Sequence, residues 1–301
     1  MTISFLHPNT TATQASYRYR ALVPSTGLDC AINDPLADVV IFAKPHQSDL
    51  AVLTQVQADG RRTIVDSCDV HWNKPSIRTM MERADVLTAN TSYMAALIHE
   101  CFGRHATVID DAYAYPEVPP HCHGTNLLWF GHSSNAESFT RIARLMQSYS
   151  HRVCTTAQAV KDPTHPSFVE WSVEALADEL SRADIVLIPE TAPHKSANRT
   201  IEATRQGCFV IAEPHPSLVG FPGIWIGNIK EGLAWTASHL EEARYRTSLA
   251  QDYVRSRYSP ERVVNAWRTL VTDSMSMWAA EESIGRDGST SRPIEALTMP
   301  M

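Results

Sequence analysis

The 301-residue sequence has few features of a metal, membrane or dinucleotide protein. Its six cysteines form no C-x-x-C pair, so neither a zinc ribbon nor a disulfide framework is indicated, and we expect reduced thiols and a cytoplasmic location. No apolar run approaches the roughly 18 residues that cross a membrane, and residues 1–9 lack the basic region of a secretory signal. The first half has no G-x-G-x-x-G, the nicotinamide and flavin fingerprint. The triplet His121–His123 cannot close a tetrahedral site unaided, so no metal is expected.

Positive charge is also scarce. Lys and Arg number 26 against 33 Asp and Glu, which gives a formal net charge of −7. Binding to nucleic acid needs a basic footprint, so this balance disfavours non-specific DNA or RNA binding and leaves only a local basic cleft open. Hydrophobic residues at 44% and charged residues at 20% are typical of a globular protein, and the length predicts two domains or one large one.

Short apolar runs alternate with helical patterns in the first half. The predicted strands are Ile3–Leu6, Val39–Ala43, Thr63–Asp66, Asp85–Ala89 and Ala106–Asp110, and the predicted helices are Asp49–Ala58, Ser76–Arg83 and Ser92–Cys101. Alternation of this kind predicts a parallel sheet covered by helices. Residues 111–124 contain three prolines and no helical period, which is typical of an interdomain linker.

The same alternation restarts after the linker. The predicted strands are Leu127–Gly131, Arg152–Thr156, Asp184–Pro189, Phe209–Ala212 and Ile224–Ile226, and the predicted helices are Glu137–Met146, Phe168–Ser181, Asn198–Gln206 and most of Lys230–Ala280. Gly207 is expected to end its helix in the left-handed conformation, and Ser259 to cap a last helix that begins at Pro260. The sequence therefore predicts an α/β protein with two Rossmann-like domains, residues 1–116 and 117–258, a C-terminal helix at 259–280 and a disordered tail at 281–301.

Two strand-to-helix turns in the second half are candidate phosphate sites. In the first turn, Gly131 allows close backbone approach, and a helix N-terminus with free N–H groups follows. Ser134 and Glu137 fit a capping box there, and an ordinary capped helix start explains the segment equally simply.

The second turn, Lys195–Ala203, is the more informative one. Lys195 and Arg199 place two positive charges near a predicted helix N-terminus, which suits a diphosphate. Asn198 is a good cap, and the Glu202 carboxylate can accept two hydroxyls of a ribose or sugar. His132 and His194 lie near the same expected site. The alternative is a solvated, capped helix start with a Lys/Glu surface pair.

Polar residues in the first half follow its predicted strands. Arg18 and Arg20, interleaved with tyrosines, can bind an anionic or planar group, although surface arginines are common. Lys44 follows the second predicted strand. Asp69 and His71 follow the third, where a carboxylate and an imidazole suit a general base; a structural loop is the competing interpretation.

Taken in order, these landmarks resemble a GT-B glycosyltransferase, similar to bacterial proteins of the family 4 or family 1 type. The matching pieces are SYRYRALVP, TIVDSCDVHW, LLWFGHSSN, ADIVLIP, KSANRTIEATRQGCFVIAEP and YSPERVVNAW, which span residues 14–270. The resemblance implies two domains facing across a cleft, a last helix that returns to the first domain, and no bound metal or cofactor. It implies a nucleoside diphosphate sugar as donor on the second domain and an acceptor on the first.

The resemblance also implies roles for individual residues. Asp69 and His71 would be catalytic, and Arg18, Arg20 and Lys44 would bind the acceptor. The donor-binding residues would be Gly131, His132, Asn135, Lys195, Asn198, Arg199 and Glu202. One departure is that the family pattern carries a carboxylate upstream of the one matched by Glu202, and at the register we assign this position is Lys195.

Three functions are therefore open. The first is transfer of a sugar to a glycan or small molecule. The second is binding of a nucleotide sugar without catalysis, which Lys195 in place of a carboxylate favours. The third is transfer to modified DNA bases, which needs a local basic rim such as Arg18 and Arg20 and is disfavoured by the net charge of −7.

Overall fold

The computed structural model describes residues 1–11, 14–160, 162 and 164–287, and over this range the chain forms two six-stranded sheets flanked by helices. The strands of the first sheet are β1 (Ile3–Leu6), β2 (Ala31–Ile32), β3 (Val39–Ala43), β4 (Arg62–Ser67), β5 (Val86–Ala89) and β6 (Thr107–Val108). Their spatial order is β2-β1-β3-β4-β5-β6, and neighbours pair in parallel. Every residue of β3 is buried, as expected for a parallel strand with both faces covered.

Helices connect these strands. They are α1 (Ala15–Tyr17), a π-helical stretch (Arg18–Leu22), α2 (Val23–Leu28), α3 (Asp49–Ala58), α4 (Pro75–Arg83) and α5 (Ser92–Phe102). Helix α5 shows how local sequence fixes its ends. The hydroxyl of Thr91 accepts a hydrogen bond from the Met94 N–H at one end, and Gly103 adopts the left-handed conformation at the other.

The second sheet has the order β12-β11-β10-β7-β8-β9, also all parallel. Its strands are β7 (Leu127–Phe130), β8 (His151–Thr155), β9 (Phe168–Glu170), β10 (Ile185–Ile188), β11 (Phe209–Ala212) and β12 (Trp225–Ile226). Its helices are α6 (Ala136–Met146), α7 (Val173–Arg182), α8 (Asn198–Arg205), α9 (Ile229–Ser238) and α10 (Leu240–Tyr258), followed by α11 (Pro260–Asp287). The predicted architecture of two Rossmann-like α/β halves is confirmed.

The prediction of one helix over Phe168–Ser181 is wrong. Phe168–Glu170 pairs with β8 as an edge strand. The helix begins only after Ser172, whose hydroxyl accepts a hydrogen bond from the Ala175 N–H. A three-residue strand is too short to show a period of its own, so the helical pattern that follows it extended over it.

Two predicted helix caps are also wrong. Helix α6 has Asn135 at its N-cap position, so Ser134 does not occupy it. Helix α8 has Ala197 there, and Asn198 is its first helical residue. A cap can be assigned from sequence only if the first residue of the helix is known, and sequence gives that residue only to within one or two positions. Both caps were placed wrongly for this reason.

The last helix, α11, crosses back to the first domain. Ser259 caps its first turn, as predicted. Trp267 is fully buried and packs edge-to-face against Phe5 of β1, with ring centroids 5.2 Å apart. Residues 281–287 of the predicted disordered tail belong to this helix, and 288–301 lie outside the described residues. The first domain therefore contains core side chains from both ends of the chain.

The predicted linker, residues 111–124, contains no helix or strand, and the structure describes all of it. It packs closely against the second domain. Gly207 follows α8 with φ +81°, as predicted, and a Cβ at this position would lie 2.4 Å from the Pro119 carbonyl oxygen. Only glycine fits both the backbone conformation and the close approach. The domain boundary at 116/117 stays a prediction.

Candidate active site

The topology directs the carboxyl ends of both sheets toward a shared cleft. In open parallel sheets, ligands bind beyond these ends at the point where the strand order reverses. That point lies between β1 and β3 in the first sheet and between β7 and β10 in the second. The two edges approach each other, because Lys195 of the second domain forms an ion pair with Asp69 of the first, and α5 contacts the Pro216–Leu218 turn that follows β11.

A small pocket, open to solvent, lies at the carboxyl ends of β10 and β11. Its lining includes Pro189 after β10, Ser196 and Arg199 at the start of α8, and His215 after β11. The first turn of α8 faces this pocket, so unpaired N–H groups and a guanidinium share one wall.

Arg199 is a partly buried cation that has no acidic partner in the described part of the chain. It extends from α8 to β7, where its Nη1 donates to the Phe130 carbonyl oxygen at 3.3 Å. Among the described residues, no carboxylate forms an ion pair with it, and burial lowers its pKa to about 10. Glu190 and Glu213 also line the pocket, but both pair with Arg141. Arg199 stays protonated at neutral pH, so its side of the pocket favours an anion.

Asp69, after β4, is the centre of a charged cluster across the cleft. Lys44 Nζ lies 3.1 Å from its Oδ2, His71 Nε2 lies 3.8 Å from the same atom, and Lys195 bonds to its Oδ1 from the second domain. The structure thus brings together the two residues that the sequence indicated as catalytic, Asp69 and His71, with Lys44 of the predicted acceptor-binding set and Lys195 of the predicted donor-binding set.

The electrostatics of this cluster separate its two candidate bases. Burial alone would raise the pKa of Asp69, but the ammonium groups of Lys195 and Lys44 outweigh it, and the pKa lies below the usual aspartate value. With both lysines bound, Asp69 is therefore a weak base. Burial lowers the pKa of His71, which keeps its imidazole neutral at pH 7 and able to accept a proton.

Lys44 has an unusual backbone conformation for its residue type. Its φ is +58°, in the left-handed region that favours glycine. Its N–H donates to the Asp66 carbonyl oxygen at 3.0 Å and its ammonium reaches Asp69. Strain of this kind is concentrated at functional sites, and here it orients the ammonium toward the cleft cluster.

Arg20 is not an acceptor-binding residue, contrary to prediction. Its side chain is 1% exposed; its Nε donates to Asp66 Oδ2 at 2.8 Å, and its Nη1 lies 3.2 Å from Asp111 Oδ1. These partners lie within the core of the first domain and occupy the guanidinium. Arg18 is partly buried and lies over the ring of Tyr19, 5.3 Å from its centroid. The proposed Arg18/Arg20 basic rim for DNA therefore does not form.

Glu202 is placed away from the expected ribose contact. Its side chain is 3% exposed and accepts hydrogen bonds from the Tyr19 hydroxyl at 2.7 Å and from the N–H groups of Ala114 and Tyr115 at 3.1 and 3.3 Å. Burial raises its pKa, an effect that these hydrogen bonds oppose. Glu202 connects α8 to the linker and to the first domain, which is a structural role.

Asn198 likewise faces a protein partner. Its side chain and that of Ser196 hydrogen-bond the buried carboxylate of Asp111, the same group that pairs with Arg20. This arrangement ties the start of α8 to the core of the first domain. The structure gives Asn198 an interdomain contact in place of the predicted donor contact.

The remaining predicted donor residues surround the end of β7. A Cβ on Gly131 would lie 3.2 Å from the Trp129 ring and 3.4 Å from Asn135 Nδ2, so a side chain here would fit only if these neighbours shifted slightly. His132 is exposed and Asn135 is partly exposed. All three lie at the strand-order reversal. They follow Phe130, the residue whose carbonyl oxygen Arg199 contacts.

His7 is a site residue that the sequence argument missed. It directly follows β1, at the reversal point of the first sheet, and is 4% exposed. Its Nδ1 contacts the Asn9 carbonyl oxygen at 2.5 Å, whereas its Nε2 is buried without a hydrogen-bond partner among the described residues. Its position directly after the first predicted strand could have identified it as a candidate site residue.

Among the described residues, no group of three or more His, Cys, Asp or Glu side chains is arranged to hold a metal ion. The six cysteines are all free. Within the same described portion, no helix has the length and apolar character needed to cross a membrane.

Two facing Rossmann-like domains, with a final helix that returns to the first, define the GT-B fold. No protein-family model and no curated protein matches this sequence. The fold is shared with solved structures. Anabaena HepE in complex with UDP-glucose is 14% identical, with a TM-score of 0.71 over 90% of this chain and 100% of HepE.

Two further structures are similar in the same way. WaaG, a glycosyltransferase involved in lipopolysaccharide biosynthesis, is 11% identical, with a TM-score of 0.57 over 87% of this chain and 98% of WaaG. A glycosyltransferase from Rickettsia africae is 9% identical, with a TM-score of 0.60 over 91% and 98% of the two chains. The expected resemblance to GT-B glycosyltransferases is confirmed for the fold, and identities this low establish the fold alone.

Proposed function

We propose that this protein is a metal-independent glycosyltransferase that moves a hexosyl group from a nucleoside diphosphate sugar to an acceptor hydroxyl. The observation that supports it most is Arg199, a cation without an acidic partner among the described residues. It lines a pocket at the carboxyl ends of β10 and β11 and also bonds to the end of β7, across the strand-order reversal of a GT-B fold. A diphosphate supplies the negative charge that this pocket favours. HepE, a neighbour in fold, forms a complex with UDP-glucose, which makes UDP-glucose the first donor to test.

The donor diphosphate would bind between the turn after β7 and the start of α8. Arg199 and Lys195 would supply positive charge, and the free N–H groups of α8 would add their dipole. These groups stabilise the charge that develops on the leaving nucleoside diphosphate, which is the role that a metal ion has in other enzymes.

The acceptor would lie on the first domain, between His7, Lys44 and the Asp69 cluster. Its hydroxyl oxygen attacks the anomeric carbon and forms the new glycosidic bond. The bond between that carbon and the diphosphate oxygen breaks, and its electron pair leaves with the nucleoside diphosphate. The hydroxyl proton passes to Asp69 or to His71, whose carboxylate and neutral imidazole both lie at this edge.

The experiment is a thermal-shift panel of UDP-, GDP-, ADP- and dTDP-sugars, followed by an assay for release of the nucleoside diphosphate. A ligand that binds only the native state raises the unfolding temperature, so one nucleotide series is expected to stabilise the chain. Absence of a shift with every member of the panel would reject a nucleotide-sugar donor.

Binding without transfer is the second candidate function. The low pKa of Asp69 between two lysines favours it, because a carboxylate so paired is a weak base. A thermal shift with a nucleotide sugar, combined with no nucleoside diphosphate released in the presence of glycan and small-molecule acceptors, would support this alternative over the enzyme.

A further inference from the structure

Asp69 lies between two ammonium groups that come from different domains. Lys44 is held 3.1 Å from Oδ2 by the first sheet, whereas Lys195 reaches Oδ1 from the loop before α8. Asp69 is 14% exposed, Lys44 is 30% exposed and Lys195 is 40% exposed. Lys195 is the more exposed of the two lysines and comes from a loop of the other domain, so it is the one that a ligand in the cleft can displace.

Lys195 is also close in sequence to the other side of the cleft. It lies in the loop before α8 and directly precedes Ser196 and Ala197, which line the pocket beside Arg199. An ammonium shared between Asp69 and a diphosphate at Arg199 is bonded less fully to each of them, so the two anions compete for it. His71 and His194 also lie close enough to the Lys195–Asp69 pair to interact with it electrostatically. Two histidines and two lysines therefore surround the single carboxylate of Asp69.

We propose that Asp69 and the donor diphosphate compete for Lys195, so that donor binding transfers Lys195 from the carboxylate to the diphosphate. This inference rests on the proposed function, because it places a diphosphate at Arg199. Lys44 remains with Asp69 throughout. Asp69 then loses one of its two ammonium partners and becomes a stronger base only once the donor is in place, which couples proton acceptance from the acceptor to donor binding.

The test is calorimetric binding of UDP and of inorganic pyrophosphate to the full chain. Asp69→Asn removes the competitor, so both probes are expected to bind about two- to fivefold more tightly, the range set by an exposed ion pair. In a Lys195→Met background the same substitution is expected to give no tightening, because nothing is left to release.

Two matched variants separate this exchange from a general change in charge. Asp69→Glu keeps the carboxylate and is expected to retain near wild-type affinity. Asp49→Asn removes a negative charge from the same edge of the first sheet, where Asp49 accepts from the His46 N–H and has no contact with Lys195. Equal tightening in Asp49→Asn, or in Asp69→Asn/Lys195→Met, would overturn the exchange.

The outcomes also distinguish this inference from the proposed function. If the probes bind the wild-type chain and Asp69→Asn leaves their affinity unchanged or weakens it, the exchange is rejected and the proposed function stands. If pyrophosphate binds and UDP does not, the effect of Asp69→Asn on pyrophosphate affinity decides the exchange, and the proposed function needs a nucleotide other than UDP. Failure of both probes to bind the wild-type chain rejects both ideas.

A spectroscopic measurement follows the carboxylate itself. With ¹³C-labelled aspartate, the chemical shift of the Asp69 carboxyl is titrated with and without UDP. Loss of the Lys195 ammonium and arrival of the diphosphate both favour the protonated form, so the pKa of Asp69 is expected to rise on UDP binding. A pKa that stays constant or falls contradicts the exchange.

Discussion

Arg20 in the first domain and Arg199 in the second are both removed from solvent, but their partners differ. Arg20 is bonded to the carboxylates of Asp66 and Asp111, whereas Arg199 contacts one carbonyl group, that of Phe130. Burial lowers the pKa of both arginines. The two carboxylates outweigh it for Arg20 and raise its pKa above the ordinary value, while the pKa of Arg199 falls to about 10. A buried arginine with partners holds a fold together, and one without them in a pocket indicates an external anion.

The largest expected effect is on stability. Arg20→Met leaves Asp66 and Asp111 buried without their cation, which should lower the free energy of unfolding by about 3–5 kcal/mol. Arg199→Met removes a charge that no carboxylate balances and should change it by less than about 1 kcal/mol. Urea denaturation of both variants measures the difference, and equal losses would break the comparison.

The second effect is on ligand binding. Arg199→Met removes charge-assisted hydrogen bonds to the diphosphate and should weaken UDP binding about 10- to 100-fold. Arg182→Met is the control, because Arg182 ends α7 at the opposite edge of the sheet and pairs with Asp178. Calorimetry showing similar affinities for both variants would reject the diphosphate site at Arg199.

A third experiment gives Arg199 the partner that it lacks. Thr191 lines the same pocket, and Thr191→Glu adds a carboxylate that competes with an anionic ligand. UDP binding should weaken about fivefold, since an exposed charge interaction is worth up to about 1 kcal/mol. Thr191→Gln has a similar size and no charge, so it should bind UDP more tightly than Thr191→Glu. The reverse order would count against a diphosphate in this pocket.

The smallest expected effect is on the pH dependence of stability, and it compares two buried carboxylates instead of two arginines. Unlike Asp66, Glu202 has no ion-pair partner among the described residues, and burial raises its pKa. Its contribution to stability is therefore largest below about pH 4.3, the ordinary glutamate pKa, and decreases as pH rises toward the folded-state pKa. Glu202→Gln should remove this part of the pH dependence. Denaturation from about pH 4 to about pH 8 tests it, and an unchanged slope in the variant would contradict the assignment.

The sheets and most helices were predictable because their signals are local. A buried run such as Val39–Ala43 identifies its own strand, and Gly207 its own helix end. One exception was Phe168–Glu170, whose pairing with β8 makes it a strand. Strand β2 and the helices over 15–28 were not predicted at all. An edge strand of three residues depends on a neighbour that the local pattern does not contain.

The candidate site was predictable only in part, for a related reason. Arg20 and Arg199 both follow a strand and look equivalent in sequence. What separates them is the presence of Asp66 and Asp111, which lie 46 and 91 residues from Arg20. The partner of Glu202, Tyr19, is 183 residues away. The sequence identified the residue types suited to the chemistry, and the fold decided which of them are already occupied.

The return of α11 has a consequence for how the chain is made. Phe5 lies in the first strand, yet its partner Trp267 comes from near the opposite end of the sequence. A ribosome that has released only the first domain has therefore exposed an apolar sheet face that nothing yet covers. The domain synthesised first is completed last, after the second domain has emerged, so C-terminal deletions that remove Trp267 should damage the N-terminal half.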